Sequence, residues 1–318
     1  MAQIVLLGTA FTKAQVMELR ALAEPAGYEV TDVGSSEDEY ALKDCEILCG
    51  HCSEQQLKNA DNLRWVQLTS AGVDRMSEES IYPHDGVLLT NATGVFGTSI
   101  AEHLVMGTLM LLRKMPDYLT LKRKKCWQRM DGLRFLYGSY VTVLGTGDLG
   151  GTFARYCAAM GALPAGVSRS GIQKEPFVRV YPPYQLKEAV KNADIVAACL
   201  PGTRETESIV SADVITAMKP HSIFLNAGRG RTVDEDALIA ALQSGHLGGA
   251  VLDVFQQEPL PENSPLWEMD NVILTPHMSG SGWDTENIRR IFALFQENLR
   301  RYLSGEPLQN VVDRIREY

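Results

Sequence analysis

The chain has 318 residues, 45% hydrophobic and 22% charged, ordinary values for a globular protein long enough for two domains. Lys and Arg number 30 against 39 Asp and Glu, a formal charge of −9 that argues against nucleic acid or an anionic membrane surface as partner. The one basic cluster, Lys122 to Lys125, is too short to reverse this and reads as a solvated helix face.

No apolar run reaches the roughly 18 residues that a bilayer span requires. The chain opens directly on Gln3-Ile4-Val5-Leu6-Leu7-Gly8, without the basic and apolar regions of an export leader, so a cytoplasmic protein is expected. Six cysteines are scattered along the sequence. Cys45, Cys49 and Cys52 lie closest together, but no second pair completes a zinc pattern, so reduced, packed thiols and no metal are expected.

Strand and helix alternate from the start. Ile4–Leu7 reads as a strand and Ala14–Ala23 as a helix, with Val16, Leu19 and Leu22 on one face. Further strands are predicted at Tyr28–Val33, Glu46–Cys49, Leu63–Leu68 and Val87–Leu89. A long helix follows over Thr98–Arg113, which Pro116 is expected to end. The alternation then resumes: strand Tyr140–Leu144, a glycine-rich turn, a helix to about Met160, and a strand at Ala165–Val167. After these come helix Leu186–Lys191, strand Ile195–Leu200, helix Ser211–Met218, and strands Ser222–Asn226, Ala250–Val254 and Val272–Leu274. The final helix is Thr285–Leu303. Two such series predict an α/β protein of two parallel-sheet domains, Rossmann-like or flavodoxin-like, with a cleft between them.

The turn after the strand at Tyr140–Leu144 is Gly145-Thr-Gly147-Asp148-Leu149-Gly150, and a helical stretch follows it. Gly145 permits the tight turn, Gly147 lets backbone approach a pyrophosphate, and Gly150 allows close packing of helix on strand. The helix N-terminus offers its N–H groups to the phosphates. A dinucleotide that is NAD asks for a carboxylate at the end of the next strand, for the ribose 2′-hydroxyl. This chain has Ser168-Arg169-Ser170 instead, and a guanidinium flanked by hydroxyls suits a 2′-phosphate. NADP is therefore expected over NAD.

Three later strands each end in polar residues: Asn226-Ala227-Gly228-Arg229-Gly230, then Asp253-Val254-Phe255 with Glu258-Pro259, then Thr275-Pro276-His277 running on to Gly280. Together with Thr69-Ser-Ala-Gly-Val-Asp74, the glycine turn and Ala101-Glu102-His103, these segments resemble the D-isomer-specific 2-hydroxyacid dehydrogenase family, in the family's order and over nearly the whole chain. The arginine position after the glycine turn resembles the NADPH-preferring glyoxylate and hydroxypyruvate reductase branch.

The resemblance implies roles that also make chemical sense. Reduction of a 2-keto acid needs a hydride at carbon, a proton at oxygen and an anchor for the carboxylate. His277 would give the proton, Glu258 would hold its ring, and Arg229 would bind the keto oxygen and carboxylate. The backbone N–H groups of Ala71, Gly72 and Val73 would grip the carboxylate as well. For the cofactor, Asp148 and Leu149 would offer amides to the pyrophosphate, and Leu200, Pro201 and Thr206 would line the adenosine side. Asp253 would orient the nicotinamide carboxamide, and Ala227 and Gly280 would complete the contacts. Arg75 and Trp283 could border the substrate pocket, and the other five histidines, His103 among them, are read as structural or solvent-exposed.

The expected activity is reduction of small 2-keto acids, such as glyoxylate, hydroxypyruvate or bulkier ones, to D-2-hydroxy acids. A nucleotide-sensing corepressor on the same fold and an NAD-dependent dehydrogenase are the alternatives. Residues 1–97 with 285–318 are expected to form the substrate domain and 98–284 the dinucleotide domain, with a homodimer implied by the resemblance.

Overall fold

The computed structural model describes residues 2–280 and 284–318. It divides into two compact units, one spanning Gly97–Gly280 and the other holding the residues on either side of it. The dinucleotide unit thus ends at Gly280, a few residues before the boundary at 284 that the sequence suggested.

The discontinuous unit begins with strand β1 (Ala2–Leu7), helix α1 (Lys13–Ala23), β2 (Tyr28–Asp32) and β3 (Cys45–Gly50), followed by helix α2 (Glu54–Lys58), β4 (Trp65–Gln67) and β5 (Leu88–Thr90). All five strands are parallel in the order β2-β1-β3-β4-β5, the flavodoxin-like arrangement. Thr12 caps α1 through a reciprocal pair of bonds with Gln15, and Ser53 does the same for α2 with Gln56. Cys45 and Cys49 are buried in this sheet, where loss of solvent pushes the Cys45 thiol up to about 12 and raises Cys49 further.

In the second unit, helix α3 (Gly97–Leu112) and helix α4 (Met115–Arg123) precede β6 (Tyr140–Leu144), helix α5 (Asp148–Ala159), β7 (Leu163–Val167) and β8 (Arg179–Tyr181). Helix α6 (Leu186–Val190), β9 (Ile195–Ala198), helix α7 (Ala212–Ala217), β10 (Ile223–Asn226), helix α8 (Glu235–Gln243), β11 (Gly249–Leu252) and β12 (Val272–Leu274) complete it. Helix α3 ends at Leu112, shortly before Pro116 as expected, but Pro116 also belongs to the next helix. It lies in the first turn of α4, where the missing N–H costs nothing, so it starts a helix as well. The sequence also concealed β8 and α8. The first is a three-residue edge strand, and the second is a nine-residue helix whose cap, Asp234, receives the N–H of Ala237.

The seven strands run parallel in the order β12-β11-β10-β9-β6-β7-β8. The chain works outward from β6 to β8, then returns to the other side of β6 and continues through β9 to β12. The reversal falls between β6 and β9, and ligands of such sheets bind outside the carboxyl ends of the strands at that point. The strands β9, β10 and β11 are wholly buried, as near-continuous apolar runs in a doubly covered parallel sheet should be. Close cover is obtained at Gly107 of α3, where an added Cβ would lie 2.7 Å from Val251 Cγ1.

The chain returns to the first unit in helix α9 (Thr285–Leu303), capped by the Asp284 carboxylate. Its buried stripe of Ile291, Phe292, Phe295 and Leu299 packs on the five-stranded sheet. Trp65 stacks on Tyr302 at 5.4 Å and meets Phe295 at 5.5 Å, so a helix 220 and more residues downstream is locked to β4.

Candidate active site

Every candidate residue of the seven-stranded unit sits just beyond a strand's carboxyl end. After β6, Gly145 adopts φ +94°, a left-handed backbone that glycine takes without strain, and an added Cβ would lie 2.5 Å from the Cys199 carbonyl. A Cβ at Gly150 would strike the Gly145 carbonyl oxygen and lie 2.8 Å from Val143 Cγ1. Around Gly147 there is open space, and as the N-cap of the 12-residue α5 it brings no side chain to close that end. The turn is therefore tight at Gly145 and Gly150 and open at Gly147, where the first turn of α5 has no side-chain cap. That is the shape a pyrophosphate requires.

The adjoining turn after β7 is tied to it, because the Gly145 N–H donates to the Val167 carbonyl at 2.9 Å. The segment Ser168-Arg169-Ser170 is itself folded back, with the Gly171 N–H on the Ser168 carbonyl and the Ile172 N–H on Ser170 Oγ. Arg169 and Ser170 are exposed there, and no carboxylate occupies this turn. Beyond β9, the Thr206 hydroxyl donates to the Pro201 carbonyl at 2.6 Å and accepts the Thr203 N–H at 2.9 Å, which closes the loop following Leu200. Ala227 is buried, and its N–H donates to the Ala198 carbonyl.

Arg229 stands between two glycines that have no room for a side chain. A Cβ on Gly228 would lie 2.5 Å from the Leu200 carbonyl, and one on Gly230 would collide with the Phe255 backbone. The buried Asn226 shapes this turn from below, accepting the Gly228 N–H at 3.1 Å and donating to the Arg229 carbonyl at 3.3 Å. Gly202 gives the Arg229 side chain its space, since a Cβ there would lie 2.9 Å from Arg229 Cγ. The guanidinium is half-buried, with Nη1 donating to the Gly228 carbonyl at 2.9 Å.

The contact at Gly230 brings the arginine turn against the segment that carries Glu258. Glu258 Oε1 accepts the Phe255 N–H at 3.0 Å, and Oε2 meets His277 Nδ1 at 2.8 Å. With Nδ1 engaged, Nε2 is the nitrogen left to face a ligand on a side chain that is 47% exposed. His277 adopts φ +50°, unusual for a residue with a Cβ, and its N–H donates to the Asp253 carbonyl at 2.8 Å.

Asp253, expected to orient the nicotinamide carboxamide, lies deep in the protein. Only 1% of it is exposed, and its carboxylate already holds four protein donors. Oδ1 accepts from the Thr275 hydroxyl at 2.6 Å and the Met278 N–H at 2.9 Å, while Oδ2 accepts from the Ser279 N–H at 3.0 Å and from the Ser279 hydroxyl. Burial pushes its carboxyl up, but these four bonds outweigh it and hold the group below the usual carboxylate range. His103, expected to be structural or solvent-exposed, is buried and joins this cluster, its Nε2 lying 3.2 Å from the Thr275 hydroxyl. The two residues are 172 positions apart, and no local sequence signal links them.

In the other unit, the carbonyls around Ala71, Gly72 and Val73 are tied down. Asn91 Nδ2 donates to Ala71 O at 2.9 Å, Ser70 Oγ to Gly72 O at 2.7 Å, and the Met76 N–H to Val73 O. Among the described residues none accepts the three N–H groups. Arg75 is an exposed ion-pair partner of Glu54 and Glu78, while Trp283 lies outside the described residues. No helix among the described residues is long and apolar enough to cross a membrane.

Residues 105–279 match the profile of the D-isomer specific 2-hydroxyacid dehydrogenase NAD-binding domain. The chain belongs to this family. It is thus an NAD(P)-dependent oxidoreductase acting on small 2-keto or 2-hydroxy acids, with the two-sheet α/β architecture of its relatives. A glyoxylate/hydroxypyruvate reductase A from Klebsiella pneumoniae is 34% identical over 226 residues, 70% of each protein. A family member of known structure from Aeromonas salmonicida is 32% identical with a TM-score of 0.86, over 98% of this chain and 99% of that one. An NADPH-dependent glyoxylate/hydroxypyruvate reductase from Sinorhizobium meliloti, solved with NADP and sulfate, is 29% identical with a TM-score of 0.85 over the full length of both.

Proposed function

We propose that this protein is an NADPH-preferring reductase that converts small 2-keto acids, glyoxylate and hydroxypyruvate first among them, into D-2-hydroxy acids. The observation that carries the chemistry is the 2.8 Å bond between Glu258 and His277 Nδ1, which leaves Nε2 to serve a substrate oxygen. Bound in the glycine turn, the cofactor supplies a hydride. Arg229 binds the keto oxygen and the carboxylate, and polarises the carbonyl as negative charge develops. His277 gives that oxygen its proton from Nε2, while Glu258 keeps the ring oriented. The amides of Ala71, Gly72 and Val73, for which no described residue is the acceptor, suit a carboxylate.

The preference for NADPH rests on Arg169 between two serines where an NAD site needs an acid. The Sinorhizobium relative, named as NADPH-dependent and solved with NADP, supports the same reading. A homodimer is supported by the apolar side chains left exposed beyond α4, among them Trp127, Phe135 and Tyr137. We place the protein in the cytoplasm, where free thiols such as the buried Cys45, Cys49 and Cys157 stay reduced.

The deciding experiment is steady-state reduction of a panel of 2-keto acids with NADPH and with NADH. The expected result is turnover of glyoxylate or hydroxypyruvate with a lower KM for NADPH, and Arg169→Ala should erase that difference by raising the NADPH value alone. A clear preference for NADH overturns the cofactor reading. Absence of turnover across the panel overturns the enzymatic one and favours a nucleotide-sensing role.

A further inference from the structure

His277 owes its place to a five-residue turn, 275–279, that packs no large apolar side chain of its own. Pro276, His277 and Met278 are all exposed, so hydrophobic burial does little to hold them. Most of the hydrogen bonds that hold the turn go to one residue. Asp253 takes the His277 N–H on its own carbonyl and the Thr275 hydroxyl, Met278 N–H, Ser279 N–H and Ser279 hydroxyl on its carboxylate. A buried carboxylate with four donors is fully engaged, and it fixes the left-handed conformation at His277 from both sides.

One member of this cluster comes from outside the strand-end loops. The Thr275 hydroxyl has a single proton, and it goes to Asp253 Oδ1 at 2.6 Å, because an ionised carboxylate can only accept. The hydroxyl therefore presents a lone pair to His103 Nε2 at 3.2 Å, and His103 must carry its proton on Nε2 and donate. His103 is itself buried on α3, so its ring has little freedom to rotate away.

We propose that His103 is a positioning residue for proton transfer, orienting the Thr275 hydroxyl so that Asp253 clamps the turn bearing His277. The proposal rests on the reading of His277 as proton donor. It gives Asp253 the role of holding the turn. Loss of the His103 donor leaves the Thr275 hydroxyl free to rotate, loosens the clamp, and misplaces Nε2 without touching the groups that bind substrate or cofactor.

The test compares His103→Leu, which removes the donor, with His103→Gln, whose side-chain amide can restore it. In the full chain, His103→Leu should lower kcat for 2-keto acid reduction about ten-fold or more, the scale expected of a misplaced catalytic group. KM for the keto acid and for NADPH should move less than three-fold, and His103→Gln should recover most of kcat. In the free protein, amide exchange at Met278 and Ser279 should accelerate at least ten-fold in His103→Leu while the amides of β9 stay unchanged. Wild-type kcat in His103→Leu overturns the proposal. So does a defect confined to KM, a lack of rescue by Gln, exchange at Met278 and Ser279 that does not change, or faster exchange spread equally to β9. If the wild-type chain turns over no keto acid, the reading of His277 has failed, and the exchange measurement alone decides whether His103 holds the turn.

Discussion

The turn after β6 and the turn after β12 stand at the same edge of one sheet and are built by opposite means. The first works by subtraction. Gly145 and Gly150 remove Cβ atoms that would strike backbone, Gly147 leaves open space, and the start of α5 has no side-chain cap. The second works by addition, since five protein donors converge on Asp253 and leave His277 poised in a conformation that a side chain seldom adopts. An anion brings its own hydrogen-bond acceptors, so its site can leave amides open. A proton donor must be aimed before substrate arrives, so its site must be closed beforehand.

That contrast can be broken at its strongest point first. His277→Ala removes the proposed proton donor, and reduction should fall by a factor of about 10² to 10⁴, the range of a positioned general acid. NADPH affinity, read by fluorescence titration, should stay within a factor of about three, and a parallel loss of affinity would mean that the two turns are not separate. Gly150→Ala attacks the other turn. The new methyl meets the Gly145 carbonyl, which is backbone and cannot swing aside, so a loss of about 1–3 kcal/mol in stability is expected together with loss of cofactor binding. Calorimetry with and without NADPH reads both effects.

A subtler change sharpens the comparison by touching neither turn. Gly202→Leu places carbon where Arg229 Cγ and Arg231 Nε now pack, so the Arg229 side chain must move. kcat/KM for the keto acid should drop by up to about 100-fold, while cofactor affinity changes little. The smallest effect is that of pH on stability. Burial holds His103 below 6.5, with Asp253 only partly opposing it. The unfolded chain then takes up protons that the folded chain refuses, so stability is full above about pH 6.5 and declines as pH falls below it. A lower thermal midpoint at pH 5.5 than at 7.5 should follow, by roughly 2–4 °C for each kcal/mol lost. His103→Gln should make that decline shallower.

Much of the fold was legible because parallel strands buried on both faces are short apolar runs, and β6, β9, β10 and β11 stood out as such. Arg229, Glu258 and His277 were legible because each follows a strand and sits in a recognisable motif. What escaped lacked a local signal. The helix α8 was passed over between two strands, although Asp234 and the pair Glu235-Asp236 mark its first turn. Pro116 was only half legible, because the same ring that ends one helix can open the next. The place of His103 in the Asp253 cluster depends on α3 crossing the sheet, which brings together positions that sequence spacing cannot relate.

The strict parallel order of the seven strands has a practical consequence. Because every strand points the same way, the strand-end loops of this unit that carry the candidate residues share one rim, and the connections at the opposite rim carry none of them. Gly245, between α8 and β11, lies on that far rim with φ +74° and nothing within 4 Å of where a side chain would start. It is a natural port for a reporter, a tether or a tag, at the end of the sheet most remote from the reaction.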